Sequence, residues 1–191
     1  MTSRDPNYLF FATPAEWREW LVEHHARAVE VWVGFYKVGF GRPSLTWPEA
    51  VDEALCFGWI DGQSKSFDEK SYLQKFTPRR IKSIWSKRNI GHIARLIKEG
   101  KMKPSGLKEA EAAKADGRWE RAYDSPGNLS IPEDFLRELS KDKNALTFFE
   151  SLNKENIYAI TWRLQTAKKP ETREKRMKII LEMLSRGEKF H

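Results

Sequence analysis

The sequence predicts an α+β fold, with a small mixed N-terminal part followed by a helical C-terminal subdomain. Stretches rich in β-branched and aromatic residues alternate with helical patterns in the first half of the chain. From Ser130 onward only helical patterns occur. Hydrophobic residues make up 40% of the 191-residue chain, so a folded core is expected rather than disorder.

The first two predicted elements are a helix and a strand. The helix begins at Thr13-Pro14-Ala15-Glu16, where Thr13 accepts free backbone amides and Glu16 reaches back toward the cap. Val29 to Val38 is apolar on both faces, which predicts a central strand. A loop is expected from Gly39 to Pro43.

A second helix and a β-hairpin follow. The same capping signature recurs at Thr46-Trp47-Pro48-Glu49, and Gly58 is expected to end the helix. Trp59 to Phe67 and Ser71 to Phe76 have the composition of two antiparallel strands. Asp61-Gly62 predicts a bulge or a turn inside the hairpin.

The N-terminal part is expected to close with a helix from Ser83 to Glu99, stopped by Gly100. The glycines and prolines of residues 104–128 predict a connector with one helical piece, Leu107 to Ala115. The predicted organisation is therefore an α+β core over residues 1–103, this connector, and a helical subdomain over residues 129–191.

Four helices are predicted in the C-terminal subdomain. The first starts at Ser130-Ile131-Pro132-Glu133, with Phe135, Leu136 and Leu139 facing inward. The second runs through Ala145 to Phe149. Asn153 is expected to cap the third helix, and Pro170 to open the last one.

The net charge and the cysteine content indicate which kind of partner and which cellular compartment to expect. A net charge of +7 favours an anionic ligand, an acidic protein or nucleic acid as partner. The single cysteine, Cys56, excludes an intramolecular disulfide and is typical of a reducing compartment. No signal-peptide pattern and no apolar run of roughly 18 residues is present, so we expect a cytoplasmic protein without membrane insertion.

The most unusual stretch is a basic segment from Lys75 to Lys103, which carries ten Lys/Arg and one acid. The start of a helix carries partial positive charge and free amides, so cations crowded there indicate a bound anion. This pattern predicts an anion-binding site made of Thr77, Arg79, Arg80, Ser83, Ser86 and Asn89. Its expected walls are Trp59, Asp61 and Trp85. The alternative is that the arginines pair with acids from elsewhere, such as Asp61, Asp68 or Glu69.

A second basic cluster lies at the start of the last predicted helix. It consists of Lys168, Lys169, Arg173 and Arg176. Glu171 and Glu174 supply negative charge at the same helix end, which favours an ordinary solvated helix start over a second anion site.

Candidates for catalysis are Cys56, as a nucleophile, and Asp61, as a general acid or base. A buried apolar thiol is the favoured interpretation of Cys56. The four histidines lack metal-ligand spacing, and one cysteine cannot build a structural zinc site. No phosphate loop or dinucleotide fingerprint is present, so neither a metal nor a cofactor is expected.

Three motifs in order resemble the bacterial YdeI/OmpD-associated family of bacteriocin-protection proteins. They are residues 54–62 (ALCFGWIDG), residues 77–80 with Ser83, Trp85, Ser86 and Asn89, and residues 168–173 (KKPETR). The resemblance extends from about Phe11 to Arg186. It implies a bacterial protein linked to stress or antimicrobial-peptide tolerance, with no reaction that can be carried over. The family name implies contact with an outer-membrane porin, which the expected cytoplasmic location argues against.

The sequence therefore predicts a cytoplasmic binding protein with an anion-binding basic surface. Two alternatives stay open: an enzyme that acts on a small anionic substrate with Asp61 or Cys56, and a nucleic-acid-binding protein. A deep cleft that joins Asp61, Cys56 and Arg79 favours the enzyme, and a flat basic face favours binding.

Overall fold

A computed structural model of the chain describes residues 8–37, 39 and 44–190. Val38, residues 40–43 of the predicted loop, the N-terminal segment considered for a signal peptide, and His191 lie outside the described residues. The fold is α+β, as predicted. Among the residues described, no helix is both long and apolar enough to cross a membrane.

The first half of the chain contains all the strands assigned in the described residues. In order, its elements are β1 (Tyr8–Phe10), α1 (Pro14–His24), β2 (Val31–Tyr36), α2 (Trp47–Cys56), β3 (Trp59–Ser66), β4 (Ser71–Pro78), α3 (Lys87–Lys98) and α4 (Pro104–Ala115). The second half is helical. It contains α5 (Glu133–Leu139), α6 (Lys143–Glu150), α7 (Lys154–Gln165) and α8 (Pro170–Ser185), preceded by a short 3-10 turn, Pro126–Asn128.

The chain divides into two compact units. The first comprises residues 1–83 and 89–120, and the second comprises residues 84–88 and 121–191. The second unit is therefore discontinuous in sequence, since a five-residue segment from the basic stretch belongs to it. The domain boundaries at residues 103 and 128 stay a prediction.

A four-stranded sheet in the order β1-β2-β4-β3 forms the frame of the first unit. β1 pairs in parallel with β2, and the other neighbours are antiparallel. The predicted central strand is thus confirmed as β2, and the predicted hairpin as β3 and β4. The register shifts between Asp61 and Ser64, which confirms the irregularity predicted at Asp61-Gly62.

One face of the sheet packs against the first two helices. The ring of Trp17 on α1 lies 5.4 Å from that of Phe76 on β4, and both side chains are fully buried. Trp17 also donates its indole N–H to the carbonyl of Ala50 on α2, at 3.1 Å. Residues of β4 that alternate with Phe76, such as Lys75 and Thr77, point to the opposite face.

The helix caps explain why α1 and α2 begin where the sequence predicts. The backbone amide of Glu16 donates to Oγ1 of Thr13, and the Glu16 carboxylate accepts from the amide of Ala12. At α2 the amide of Thr46 donates to the Glu49 carboxylate at 2.9 Å. These local bonds satisfy amides that a helix start otherwise leaves free.

Two sequence predictions need correction, and one strand was not predicted. The helix expected from Ser83 begins at Lys87, because Ser86 bridges to Tyr123 in extended conformation. β1 was not predicted, since three residues are too short to show a strand pattern. Leu136, expected to face inward, is exposed on α5, whereas Phe135 and Leu139 are buried.

The second unit has its own hydrophobic core. Its buried members come from all four helices: Phe135, Leu139, Ala145, Phe149, Ile160, Leu164, Ile180 and Leu184. Asn153 caps α7 by accepting the amide of Asn156 at 3.0 Å, and Pro170 opens α8, both as predicted. α5 begins at Glu133, within the predicted start Ser130-Ile131-Pro132-Glu133, and Pro132 occupies its N-cap position.

Candidate functional site: a basic cleft at one end of the sheet

The first unit contains an open cleft of about 1070 Å³. One wall is the connection from α1 to β2, residues 25–30, and the other is the end of β4 with the segment after it, residues 77–81 and 83. The floor comes from the outward-facing side of the hairpin, at Ile60, Gly62, Gln63 and Lys75. We call this feature the basic cleft.

Each wall of the basic cleft is fixed by specific contacts. The indole N–H of Trp59 donates to the carbonyl of His25 at 3.1 Å, and Lys75 Nζ lies 2.6 Å from Glu30 Oε2. On the other wall, the amide of Arg79 donates to the carbonyl of Gly58 at 2.9 Å. Arg118 donates to the carbonyl of Ser83 at 3.1 Å. The backbone of both walls is therefore held in place by the sheet and its neighbours.

The cleft is strongly cationic. Five of its lining residues carry or can carry positive charge: His25, Arg27, Lys75, Arg79 and Arg80. Among the described residues of the lining, Glu30 is the one acid, and it is paired with Lys75. Low-dielectric walls with charge of one sign raise the local concentration of ions of the opposite sign.

Two arginines on opposite walls differ from the other cations. Arg27 and Arg80 are both exposed, and neither side chain makes an ion pair or a hydrogen bond with any residue that the structure describes. Arg79 is buried and engaged. The guanidinium groups of Arg27 and Arg80 are thus available to a ligand, and a guanidinium can bind a carboxylate or a phosphate through two parallel hydrogen bonds.

Four of the six predicted anion-binding residues line the basic cleft: Thr77, Arg79, Arg80 and Ser83. Within the described ranges, the hydroxyl groups of Thr77 and Ser83 have no hydrogen-bond partner, so both can donate to a ligand. Asn89 belongs to the first unit but does not line the cleft. Ser86 belongs to the second unit.

The predicted walls lie elsewhere. Trp59 is fully buried and supports the wall at His25 from behind. Asp61 turns toward α2, where its carboxylate accepts the indole N–H of Trp47 at 3.3 Å. Trp85 is buried and belongs to the second unit. Arg27, which the sequence analysis missed, carries no local signal because pairing of β2 with β4 is what brings its loop beside Arg80.

The cationic start of α3 has an acidic partner from a distant part of the chain. The acid that this start lacks in sequence is supplied by Asp124, whose Oδ1 lies 2.7 Å from Lys87 Nζ. The first amide of α3, that of Lys87, donates to the carbonyl of Tyr123 at 2.9 Å. The start of α3 is therefore compensated within the second unit, so its positive charge does not require a bound anion.

Neither candidate for catalysis lines the basic cleft. Cys56 is fully buried, and burial raises the pKa of its thiol to about 11. A thiol with that pKa is protonated near neutral pH and is a poor nucleophile. The buried apolar thiol favoured from the sequence agrees with this position, and the cleft joins Arg79 to neither Asp61 nor Cys56.

A carboxylate–histidine pair elsewhere in the first unit was also missed. His92 Nδ1 on α3 lies 2.5 Å from Asp52 Oδ1 on α2, and Arg95 contacts the other oxygen of Asp52. These contacts join the two helices. No group of three or more His, Cys, Asp or Glu side chains that could hold a metal ion occurs in the described part of the chain.

The second basic cluster is divided by its contacts. Arg173 makes two hydrogen bonds to the carboxylate of Asp134, and Arg176 donates to the carbonyl of Arg163 at 2.7 Å. Lys168 and Lys169 are exposed. Half of this cluster therefore connects α8 to its own unit.

Two family models match the chain, one over its first half and one over its C-terminal helices. Residues 9–109, which include the whole basic cleft, match the model of a domain of unknown function, DUF8412. Residues 128–187 match the model described as "Bacteriocin-protection, YdeI or OmpD-Associated" (OmdA), which confirms the predicted resemblance for this region. The motifs at residues 54–62 and 77–80 fall in the DUF8412 match instead.

No curated protein and no solved structure matches the chain. The match over residues 9–109 spans more than half of the sequence. The chain therefore belongs to the DUF8412 family, and its C-terminal helices carry a domain of the YdeI/OmpD-associated type.

Proposed function

We propose that this chain is a binding protein that holds an anionic ligand in the basic cleft. The observation that supports it is the pair of available guanidinium groups, Arg27 and Arg80, on opposite walls of one cleft. Glu30, the one acid among the described residues of the lining, is already neutralised by Lys75. A ligand with a phosphate or carboxylate group would complete this charge pattern.

The cleft offers hydrogen-bond donors in addition to charge. Thr77 and Ser83 line it with hydroxyl groups that can donate to anionic oxygens. The walls are held by hydrogen bonds from Trp59, the Arg79 amide and Arg118, so a ligand does not need to order them on binding. Such preorganisation lowers the entropic cost of association.

The proposal is tested by calorimetric titration of the full chain with inorganic phosphate and with pyrophosphate. We expect both to bind, and pyrophosphate to bind more tightly because it carries more negative charge and more acceptor oxygens. Replacement of both arginines, Arg27→Gln with Arg80→Gln, should weaken pyrophosphate binding at least tenfold. The matched control is Lys168→Gln with Lys169→Gln, which removes the same charge from the second basic cluster and should change the affinity less than twofold.

Two results would count against the proposal. One is the absence of binding by either anion to the unmodified chain. The other is an equal loss in the two double variants, which would mean that net charge rather than the basic cleft governs binding.

Nucleic acid is the second anionic partner to which the sequence points. The lysines of the outer sheet face favour it, since the amines of Lys65 and Lys75 lie 4.2 Å and 5.4 Å from the centre of the Trp32 ring. Binding of a single-stranded oligonucleotide should then weaken steeply as salt is added. Affinity that is insensitive to salt would exclude this partner.

The cytoplasmic location and the link to stress tolerance remain proposals. The description of the C-terminal match names bacteriocin protection. If that role extends to this chain, its expression should raise the survival of a bacteriocin-sensitive bacterium. Expression of the Arg27→Gln/Arg80→Gln variant would show whether the basic cleft contributes.

A further inference from the structure

The basic cleft carries the two most exposed large hydrophobic side chains of the described residues. Val29 is 80% exposed and Ile81 is 81% exposed, whereas the next, Val22, is 56% exposed. Both line the cleft, Val29 on the first wall and Ile81 on the second. Each also follows closely after an available arginine, Arg27 on one wall and Arg80 on the other.

Val29 and Ile81 lie on segments of the chain that are held in place by specific contacts. The first wall is held at His25 by Trp59 and, directly after Glu30, by the pairing of Val31 with Phe76 in the sheet, on both sides of Val29. The second wall is held at Arg79 by Gly58 and at Ser83 by Arg118, on both sides of Ile81. The walls therefore present these apolar groups to solvent in a fixed position, where a ligand gains free energy by covering them.

From this arrangement, and resting on the proposed function, we infer that the ligand is an amphipathic anion. Its phosphate or similar head binds between Arg27 and Arg80, and its aliphatic chain covers Val29 and Ile81. The volume of about 1070 Å³ slightly exceeds the roughly 300–1,000 Å³ of typical small-molecule sites, which leaves room for a chain beside the head group.

The inference predicts an affinity that depends on chain length. Calorimetric titration of the full chain with inorganic phosphate and with methyl, butyl and hexyl phosphate, below their micellar concentrations, measures it. Each methylene group that is buried against the walls should tighten binding by about threefold to fourfold. Hexyl phosphate should therefore bind far more tightly than methyl phosphate.

Two double variants separate the contribution of the apolar side chains to the affinity from that of the charged arginines. Val29→Ser with Ile81→Ser should remove most of the dependence on chain length, measured as the ratio of the affinities for hexyl and methyl phosphate. The matched control is Val22→Ser with Ile97→Ser, which makes the same two changes at exposed positions on α1 and α3, outside the cleft. This control should retain the full dependence.

The possible results distinguish this inference from the proposed function. Equal binding of all four phosphates would overturn the inference and leave the anion site intact. A chain-length dependence that persists in Val29→Ser/Ile81→Ser would overturn it as well. Failure of inorganic phosphate, pyrophosphate and hexyl phosphate to bind at all would overturn the proposed function together with it.

The same chemistry occurs in free alkyl phosphates and in lipid head groups. Vesicles of phosphatidylcholine with and without phosphatidic acid distinguish the two sources by co-sedimentation. Binding to the acidic vesicles that is lost in Val29→Ser/Ile81→Ser supports a lipid ligand. Binding of hexyl phosphate without binding of vesicles supports a free amphipathic anion.

Discussion

Asp124 shows how one buried charge organises the second unit. It is 3% exposed, and its carboxylate accepts from the amide of Ser130 and from Nε2 of Gln165 as well as pairing with Lys87. Burial by itself raises the pKa of this carboxyl group, but Lys87, Gln165 and Ser130 outweigh it, so the pKa lies below its ordinary value of 3.8. The charged form is therefore the one that the folded chain stabilises.

Replacement of this residue, Asp124→Asn, should lower the free energy of unfolding at neutral pH by about 2–3 kcal/mol. The folded-state pKa is the lower one, so the unfolded chain binds more protons as the pH falls. The contribution of Asp124 is therefore complete above the unfolded pKa near 3.8 and is lost as the pH falls through the folded value. Urea unfolding between pH 3 and 7 measures it. Asp124→Asn should lose less stability on acidification than the unmodified chain. The exposed control, Glu150→Gln, should lose as much stability as the unmodified chain.

Two helical glycines give opposite predictions for the same substitution. A Cβ atom at Gly106 would lie 2.3 Å from the carbonyl oxygen of Cys56 and 2.6 Å from that of Leu55, so α4 approaches α2 through backbone. At Gly91 on α3 a Cβ atom would meet nothing within 4 Å. We expect Gly106→Ala to destabilise the chain by about 2 kcal/mol or more, and Gly91→Ala to stabilise it by about 0.5–1 kcal/mol. Urea unfolding of both variants is the measurement, and equal effects would contradict the packing described.

At the scale of elements, the ion pair between Glu30 and Lys75 connects the first cleft wall to the sheet. Exposed ion pairs contribute little to stability, so its main effect is on the charge of the basic cleft. The substitution Glu30→Gln removes the one acid of the described lining and releases Lys75. We expect pyrophosphate to bind several-fold more tightly, with a steeper dependence on salt.

The control for this prediction is Glu23→Gln, which makes the same charge change on α1 at a position outside the basic cleft. Its affinity should match that of the unmodified chain. Weaker binding by Glu30→Gln would mean that the ion pair positions the wall. The loss of that positioning would then cost more binding free energy than the added positive charge contributes.

Elements were predictable from the sequence where local chemistry specifies them. Caps at Thr13, Thr46 and Asn153 mark helix starts because the bonds involved span three residues. The start of α3 was not predictable, since residues 84–86 adopt their conformation through a bridge to Tyr123. A pairing partner so far along the chain leaves no local pattern.

The residues of the candidate site, too, were predictable only where the local sequence identifies them. Thr77, Arg79, Arg80 and Ser83 were predicted because their segment is conspicuously basic in sequence. Arg27 and Val29 lie in a short ordinary connection, and they reach the cleft because Val31 pairs with Phe76 in the sheet. Register between distant strands thus determines half of the site, and composition alone cannot supply it.

At the scale of the whole molecule, each unit has its own buried core. We therefore expect scanning calorimetry to resolve two unfolding transitions. Pyrophosphate in excess should raise the midpoint of one, because a ligand stabilises only the unit that binds it. Asp124→Asn should lower the midpoint of the other. A single transition shifted by both would contradict this independence.

The discontinuity of the second unit has a consequence for synthesis on the ribosome. Residues 84–88 emerge early, but Tyr123 and Asp124, which bind Ser86 and Lys87, are made only after α3 and α4. The first unit can complete its folding once residue 120 is available, whereas the five-residue segment must wait. During that interval Lys87 lacks its acidic partner. The five-residue segment of the nascent chain therefore carries an uncompensated positive charge while it is still unfolded.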